Sequence, residues 1–356
     1  AATAPRPTPI SVHREALGDG VFATVDDAVD AAATAFREFD GMSLEGRRRI
    51  IASIRESMFE NAEELARLAH TETGLGRVED KVVKNRLVTR KTSGTEVLTP
   101  QAVTGDDGLT LTEYAPYGVI GAITPTTNPT STIICNTIAM LSAGNSIVFN
   151  VHPGARECSM ANVRLLHHAI TRAGGPANLV TAIATPTIES AQELMGHEGV
   201  RLLAVTGGSG VVRQAMTSGK RAICAGPGNP PVVVDATADL EHAARNIIAG
   251  ASFDNNIVCV DEKEVIAVES IVDDLLAQMG QHGARVLNEQ ELHKVTNVIF
   301  TEYPGRRKSG KLAKDLIGKN ASEILARAGV ASYGDPRLLV VRVTNGHPLV
   351  LSLIHI

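Results

Sequence analysis

Apolar residues are spaced differently in three successive parts of the chain, and each spacing predicts its own elements. In the first part they recur at helical intervals. Val25, Val29, Ala32 and Phe36 fall on one face of a helix capped by Thr24, with Asp27 at the capping-box position. Residues 44–71 and 78–91 continue as two further amphipathic helices. Around 100–117 the pattern changes. Gly105, Asp106, Asp107 and Gly108 separate Val103 from an alternating stretch over 109–114, which predicts a β-hairpin arm projecting from the body.

From Gly118 onward, short apolar runs at 119–123, 146–151, 179–183 and 202–205 alternate with helical stretches at 131–141, 156–172 and 188–195. Strand–helix alternation with short Gly/Pro joints predicts a doubly wound parallel α/β sheet, whose ligands bind beyond the carboxyl ends of the strands. A second α/β stretch follows. Strand-like residues 222–224 and 232–234 flank a Gly/Pro-rich turn at 226–231, and a helix over 240–249, a strand at 265–268, a helix over 270–279 and a strand at 338–343 complete it. Residues 1–9 read as a Pro/Ala-rich linker or disordered arm. The closing run 347–356, apolar and without a turn, reads as a strand cut short.

Composition sharpens this picture in a few places. A chain of 356 residues is long for one core and is expected to form two domains. Only 3% of residues are aromatic and none is Trp, which suits a β-branched parallel sheet under closely packed helices. The net charge of −5 argues against a general nucleic-acid binder. No apolar run has membrane-spanning length, and no secretory signal is visible. Four irregularly spaced Cys make no disulfide framework, so a reducing, cytoplasmic setting is expected. Arg306, Arg307, Lys308, Lys311 and Lys314 read as a solvated basic face.

Candidate chemistry centres on Cys259, which closes the stretch FDNNIVC on a polar turn between a helix and a strand. Asp254, Asn255 and Asn256 tolerate unusual backbone dihedrals and can aim an N–H at the same point as the sulfur. Cys135, Cys158 and Cys224 sit in or beside apolar elements and read as structural. His167 and His168 are adjacent, so they diverge on a helix and make a poor metal pair, and no Cys/His spacing points to zinc. Three further motifs lie at joints of the pattern. ITPTTNP (123–129) leaves a strand and enters a helix, and its Asn128 amide can donate to a developing oxyanion. VTGGSG (205–210) permits close backbone approach to a pyrophosphate at a helix start, though it is neither GxGxxG nor a Walker A loop. AGPGNPP (225–231) is the third.

In this order, ITPxxNP, TGG, GPGNPP and FDNNxxC resemble the aldehyde dehydrogenase superfamily. They are most similar to its CoA-acylating members of the ethanolamine- and propanediol-utilisation type. ETG at 72–74, SAGN at 142–145, HPGA at 152–155 and NPPVVVD at 229–235 extend the likeness from about residue 21 to about 347. The resemblance implies an arm at 1–20, an NAD-binding domain at 21–224 with an oligomerisation hairpin near 99–117, and a catalytic domain at 225–356 that is incomplete at its C-terminal end. It implies Cys259 as the thiol nucleophile, with the Asn128 side chain and the Cys259 N–H forming the oxyanion site. It also implies that NAD lies against Thr124, Pro125 and Thr126, with Gly207, Gly208, Val211 and Gly226 near the cofactor and His152 and Pro153 beside the adenosine. Where the hydrolytic branch uses Lys and Glu on the ribose, this chain has Asn150 and Pro153.

The telling departure is Ala225, where hydrolytic members carry the Glu that activates water. Without a proton acceptor there, a thiol must resolve the thioester, because a useful fraction of a thiol is thiolate at neutral pH. The expected activity is therefore reversible, NAD-dependent oxidation of a short-chain aldehyde such as propanal or acetaldehyde to its acyl-CoA, with coenzyme A as co-substrate. A homo-oligomer (dimer or tetramer) and a bacterial microcompartment setting are implied by the same likeness. The competing readings are a hydrolytic dehydrogenase releasing the free acid and an inactive fragment.

Overall fold

The computed structural model describes residues 17–226, 228–303, 305, 310–343 and 346–350. Its first lobe is a six-stranded, wholly parallel sheet under helices on both faces. In chain order its elements begin with β1 (Val21–Phe22) and four helices, α1 (Val25–Asp40), α2 (Leu44–Glu60), α3 (Ala62–Thr73) and α4 (Val78–Lys91). A hairpin follows, β2 (Gln101–Gly105) and β3 (Gly108–Thr112). The alternating core comes next: β4 (Val119–Ile123), α5 (Pro129–Ser142), β5 (Ser146–Asn150), α6 (Arg156–Arg172), β6 (Val180–Ile183), α7 (Ile188–Gly196), β7 (Leu202–Thr206), α8 (Ser209–Met216) and β8 (Ala222–Ala225). The strands lie in the order β1-β6-β5-β4-β7-β8.

The central strands β4, β5 and β6 are buried on both sides, as their unbroken apolar runs require, while β8 at the edge is half exposed. Alternate residues feed two cores. Ala122, Ile147, Phe149, Val180 and Ala182 pack with Phe39, Ile54, Ile133 and Leu166 on one face. Val119, Ile123, Val148 and Leu203 pack with Val25, Val29, Leu194 and Ala215 on the other. Helix α1 starts as its sequence indicates, the Thr24 hydroxyl oxygen accepting the Asp27 N–H at 3.1 Å. The helix expected over 44–71 is in fact two. The chain breaks at Asn61 (φ −91°, ψ 8°), whose side-chain amide donates to the Ser57 carbonyl and competes with the helical ladder.

Helix α4 departs from expectation in a more instructive way. Its inner face is polar: Lys81, Lys84, Asn85 and Thr89 are buried, while Val83 and Leu87 are exposed. The helix lies where the spacing of 78–91 predicts it, and the face it buries is the polar one.

The second lobe holds β9 (Pro231–Val234), α9 (Leu240–Ala251), β10 (Glu264–Ala267), α10 (Val272–Gln281), β11 (Ala284–Val286), α11 (Glu289–Ile299), β12 (Phe300–Glu302), β13 (Lys311–Leu312), α12 (Ala321–Arg327) and β14 (Leu338–Val340). β9 pairs with β10 and β11 with β14, both parallel, as two separate two-stranded sheets. Helices α11 and α12 escaped the periodicity reading, yet each opens on an Asn-x-x-Glu capping box, Asn288 with Glu291 and Asn320 with Glu323. Pro348–Val350 forms a 3₁₀ turn rather than the expected strand, and residues 351–356 of that run lie outside the described residues, as do 1–9, Arg306, Arg307 and Lys308. No described helix is long and apolar enough to cross a membrane.

Phe39 is fully buried at the end of α1, in the core beneath α2. Phe39→Ala is expected to lower unfolding free energy by about 3–5 kcal/mol, read as a lower urea midpoint at unchanged slope.

Candidate active site

Cys259 is reached through a backbone conformation that few residues adopt. After α9 ends at Ser252, Asp254, Asn255 and Asn256 stand consecutively in the left-handed region, at φ 47°, 55° and 61°. Asp and Asn are the non-glycine residues that tolerate it best. All three side chains hold the turn in place. The Asp254 carboxylate is wholly buried. Its Oδ1 accepts the Arg77 N–H at 2.7 Å, and its Oδ2 accepts Lys81 Nζ at 3.0 Å together with Lys84 Nζ. Asn255 Oδ1 accepts Arg77 Nε at 2.7 Å, and its amide donates to the Gly318 carbonyl. The Asn256 amide donates to the carbonyls of Ala251 and Glu262. Gly76, at φ +69°, makes room for this: a Cβ there would stand 2.0 Å from Asp254 Oδ1.

Beyond the turn, Cys259 is a half-buried free thiol. The Val258 N–H donates to Asp261 Oδ2 at 3.3 Å, and Lys263 Nζ donates to the carbonyls of Val258 and Asp261. Burial pushes the Asp261 carboxyl up to about 7 against the pull of the Lys263 ammonium, and burial pushes Lys263 down. Gly228 lies against the same segment, where a Cβ would stand 3.0 Å from the Cys259 carbonyl oxygen.

Asn128 stands at the N-cap of α5, but its side chain does not cap the helix. Its Oδ1 accepts Lys84 Nζ at 2.6 Å, and its Nδ2 donates to Thr127 Oγ1 at 3.1 Å. Lys84 therefore touches both Asn128 and Asp254, joining the ITPTTNP segment to the turn before Cys259. Lys81 beside it is pushed down to about 8, chiefly by burial and then by the like charge of Lys84.

The remaining motif residues gather at the carboxyl ends of the parallel strands. The ends of β4 and β5 lie side by side (Ile123 beside Asn150), as do those of β7 and β8 (Thr206 beside Ala225). Thr124, Pro125 and Thr126 thus leave the sheet next to His152, Pro153 and Gly154, and Thr126 Oγ1 approaches Gly154. The Gly207 N–H donates to the Ala225 carbonyl at 3.1 Å, and Gly226 follows at the exposed end of β8. Gly208 is the N-cap of α8, with open space where a side chain would begin, and Val211 packs one turn on, against Gly207. The buried Thr124 hydroxyl has no partner among the described residues. A nicotinamide dinucleotide fits this set: an open glycine pair before a helix N-terminus for a pyrophosphate, and an unsatisfied hydroxyl at the end of β4, beside the switch point between β4 and β7. Asn150, by contrast, faces inward. It accepts from Ser190 Oγ at 2.6 Å and donates to the Thr187 carbonyl, tying down the start of α7. Burial lowers the proton affinity of His152, whose Nδ1 accepts the Gly154 N–H.

Of the other cysteines, Cys158 is fully buried and its thiol is driven strongly toward the protonated form by burial and by Glu72. Cys135 and Cys224 are half-buried. His168 pairs with Asp19 at the surface, and no group of metal-binding residues occurs among the described residues. Sequence reasoning missed Lys81 and Lys84. The available signal was two lysines three apart beside Asn85 in a helix with few apolar residues to bury.

A carboxyl raised toward neutrality binds a proton in the folded chain that it lacks when unfolded, so it costs stability as pH rises from about 4 through about 7. Asp261→Asn, which keeps an acceptor for the Val258 N–H, is expected to raise Tm at pH 8, with the gain fading toward pH 4–5, as checked by thermal melts across that range.

Residues 17–298 match the model of the aldehyde dehydrogenase family. The chain is 47% identical to the acetaldehyde dehydrogenase (acetylating) EutE of Escherichia coli K12, over 94% of this chain and 71% of that one. The propionaldehyde dehydrogenase of Rhodopseudomonas palustris, solved with bound propionyl-CoA, superposes with a TM-score of 0.90 at 44% identity, covering 95% of this chain and 74% of that one. A propionaldehyde dehydrogenase from the Clostridium phytofermentans fucose utilisation bacterial microcompartment gives 0.89 at 43%, covering 94% and 76%. The chain belongs to the aldehyde dehydrogenase family, within its CoA-acylating members.

Proposed function

We propose that this chain oxidises a short-chain aldehyde, propanal or acetaldehyde, to its acyl-CoA with NAD as hydride acceptor, through a thioester on Cys259. The Cys259 sulfur adds to the aldehyde carbon. Asn128 Nδ2 and the Cys259 N–H hold the oxyanion of the resulting hemithioacetal, and losing one such donor costs about 2.7–4 kcal/mol of transition-state stabilisation. A nicotinamide held at the ends of β4 and β7 would supply the hydride acceptor, so that the hemithioacetal carbon on Cys259 would lose a hydride and become the thioester carbonyl. The CoA thiolate then attacks the thioester, its sulfur forms the new C–S bond, and Cys259 leaves as thiolate. The same groups serve the reverse direction.

The observation that carries this reading is Ala225. It stands at the end of β8, bonded to Gly207, with a methyl group where activation of water would need a carboxylate. Asp261 is two residues from the nucleophile, but it is buried and turned back onto the Val258 amide. The propionyl-CoA bound to the Rhodopseudomonas palustris relative supports the same acceptor and acyl length.

The hairpin supports self-association into a dimer or tetramer. Every residue of β2 and β3 is exposed, and Leu109 and Leu111 share one face with Ala102 and Thr104. The microcompartment source of one relative supports a cytoplasmic setting inside such a shell for this chain.

NADH formation from propanal is expected to require CoA. Without CoA, one equivalent per active site should form in a burst, leaving a propionyl group on Cys259 that mass spectrometry detects and Cys259→Ala abolishes. Equal steady turnover with and without CoA would refute the acceptor assignment. Leu109→Lys with Leu111→Lys is expected to reduce the mass measured by light scattering if the arm carries self-association.

A further inference from the structure

We infer that Lys84 is the positioning residue of the oxyanion site, acting through Asn128. This deepens the reading above and rests on Asn128 being an oxyanion donor. A carboxamide can rotate to present either its oxygen or its nitrogen, and only the nitrogen can donate. An ammonium has donors and no acceptor, so Lys84 Nζ, 2.6 Å from Asn128 Oδ1, accepts only one of the two orientations. The side chain does not cap α5, and its bond to Thr127 Oγ1 selects neither orientation, because a hydroxyl can donate or accept. Thr127 Oγ1 takes one Nδ2 hydrogen and leaves the second for an incoming oxyanion. The charge also polarises the amide: a cation on the oxygen strengthens its N–H groups as donors in a buried setting.

Lys84 is itself held. Its ammonium is buried against Asp254 Oδ2, and Asp254 sits five residues before Cys259 in the left-handed turn. The lysine thus fixes the donor amide relative to the segment that carries the nucleophile, although it belongs to a helix at the other end of the chain. Lys81 provides an internal control. It bonds the same carboxylate oxygen at 3.0 Å, is as deeply buried, and has no bond to Asn128.

The test compares Lys84→Met, Lys84→Gln, Lys81→Met, Asn128→Ala and the double variant Lys84→Met/Asn128→Ala. Two rates are read. One is NADH formation from propanal and CoA. The other is alkylation of Cys259 by iodoacetamide, followed on its own peptide, a displacement that forms no oxyanion. Lys84→Met is expected to lower kcat about 10–100-fold, approaching the loss for one missing oxyanion donor. Its alkylation rate and its KM for NAD should stay within about threefold of the parent. Lys84→Gln, which retains a neutral donor to Oδ1 and is the variant to read if Lys84→Met does not fold, should lose less than the methionine variant or about tenfold if read alone. Lys81→Met should lower Tm while keeping kcat within about threefold. In the Asn128→Ala background, Lys84→Met should add little.

Three results would overturn the inference: alkylation falling in parallel with turnover, Lys81→Met losing as much kcat as the Lys84 variants, or full additivity of Lys84→Met with Asn128→Ala. Asn128→Ala with parental turnover would instead remove the oxyanion assignment itself, a failure separable from the others because it appears in the single variant.

Discussion

A carboxylate sealed from water between two ammonium groups joins the two lobes. Asp254 belongs to the turn that leads to Cys259, Lys81 and Lys84 belong to α4, and the Arg77 N–H lies at its N-cap. Burying such charges is costly, and removing one partner from a buried pair typically costs about 3–5 kcal/mol. An arrangement of this kind contributes placement more than net stability. It admits one position of the turn, because only one brings the carboxylate within reach of all its donors. The three left-handed residues close on that seat, and Lys84 alone carries its position on to Asn128.

The sheet performs the complementary task. Its strands are indifferent to chemistry, with apolar residues on both faces, and their carboxyl ends deliver Thr124, His152, Gly207 and Gly226 to one edge. The helices after β4 and β7 begin within a few residues of those ends. Backbone N–H groups and small side chains therefore face the ligand space, where long side chains would obstruct a dinucleotide. The two lobes contribute different things to the proposed centre: the first a cradle of main chain, and the second the Cys259 thiol.

Much of this was legible in the sequence. Unbroken apolar runs announced a parallel sheet, the Gly105–Gly108 turn announced the hairpin, and the order of four short motifs announced the family. What was not legible has a common cause. Periodicity assumes that apolar residues face inward, and α4 reverses this because its buried face is specified by a charge on a segment distant in sequence. Lys81 and Lys84 are buried there and Val83 and Leu87 exposed, the opposite of what apolar spacing assumes. Asn61 ended a helix through a local bond to Ser57 that a pattern of apolar positions does not register. Helices α11 and α12 were missed because their capping boxes were passed over in favour of apolar spacing. Asn150 drew attention as a departure from a ribose contact, while its real partners at the start of α7 lie in a stretch read only as a helix.

The contact between Gly76 and Asp254 carries a constraint on how such a chain can change over time. Any side chain at 76 would occupy the space of the carboxylate. A larger residue there is admissible only if Asp254 changes with it, so that a glycine with no chemistry of its own is tied to the fate of the proposed centre.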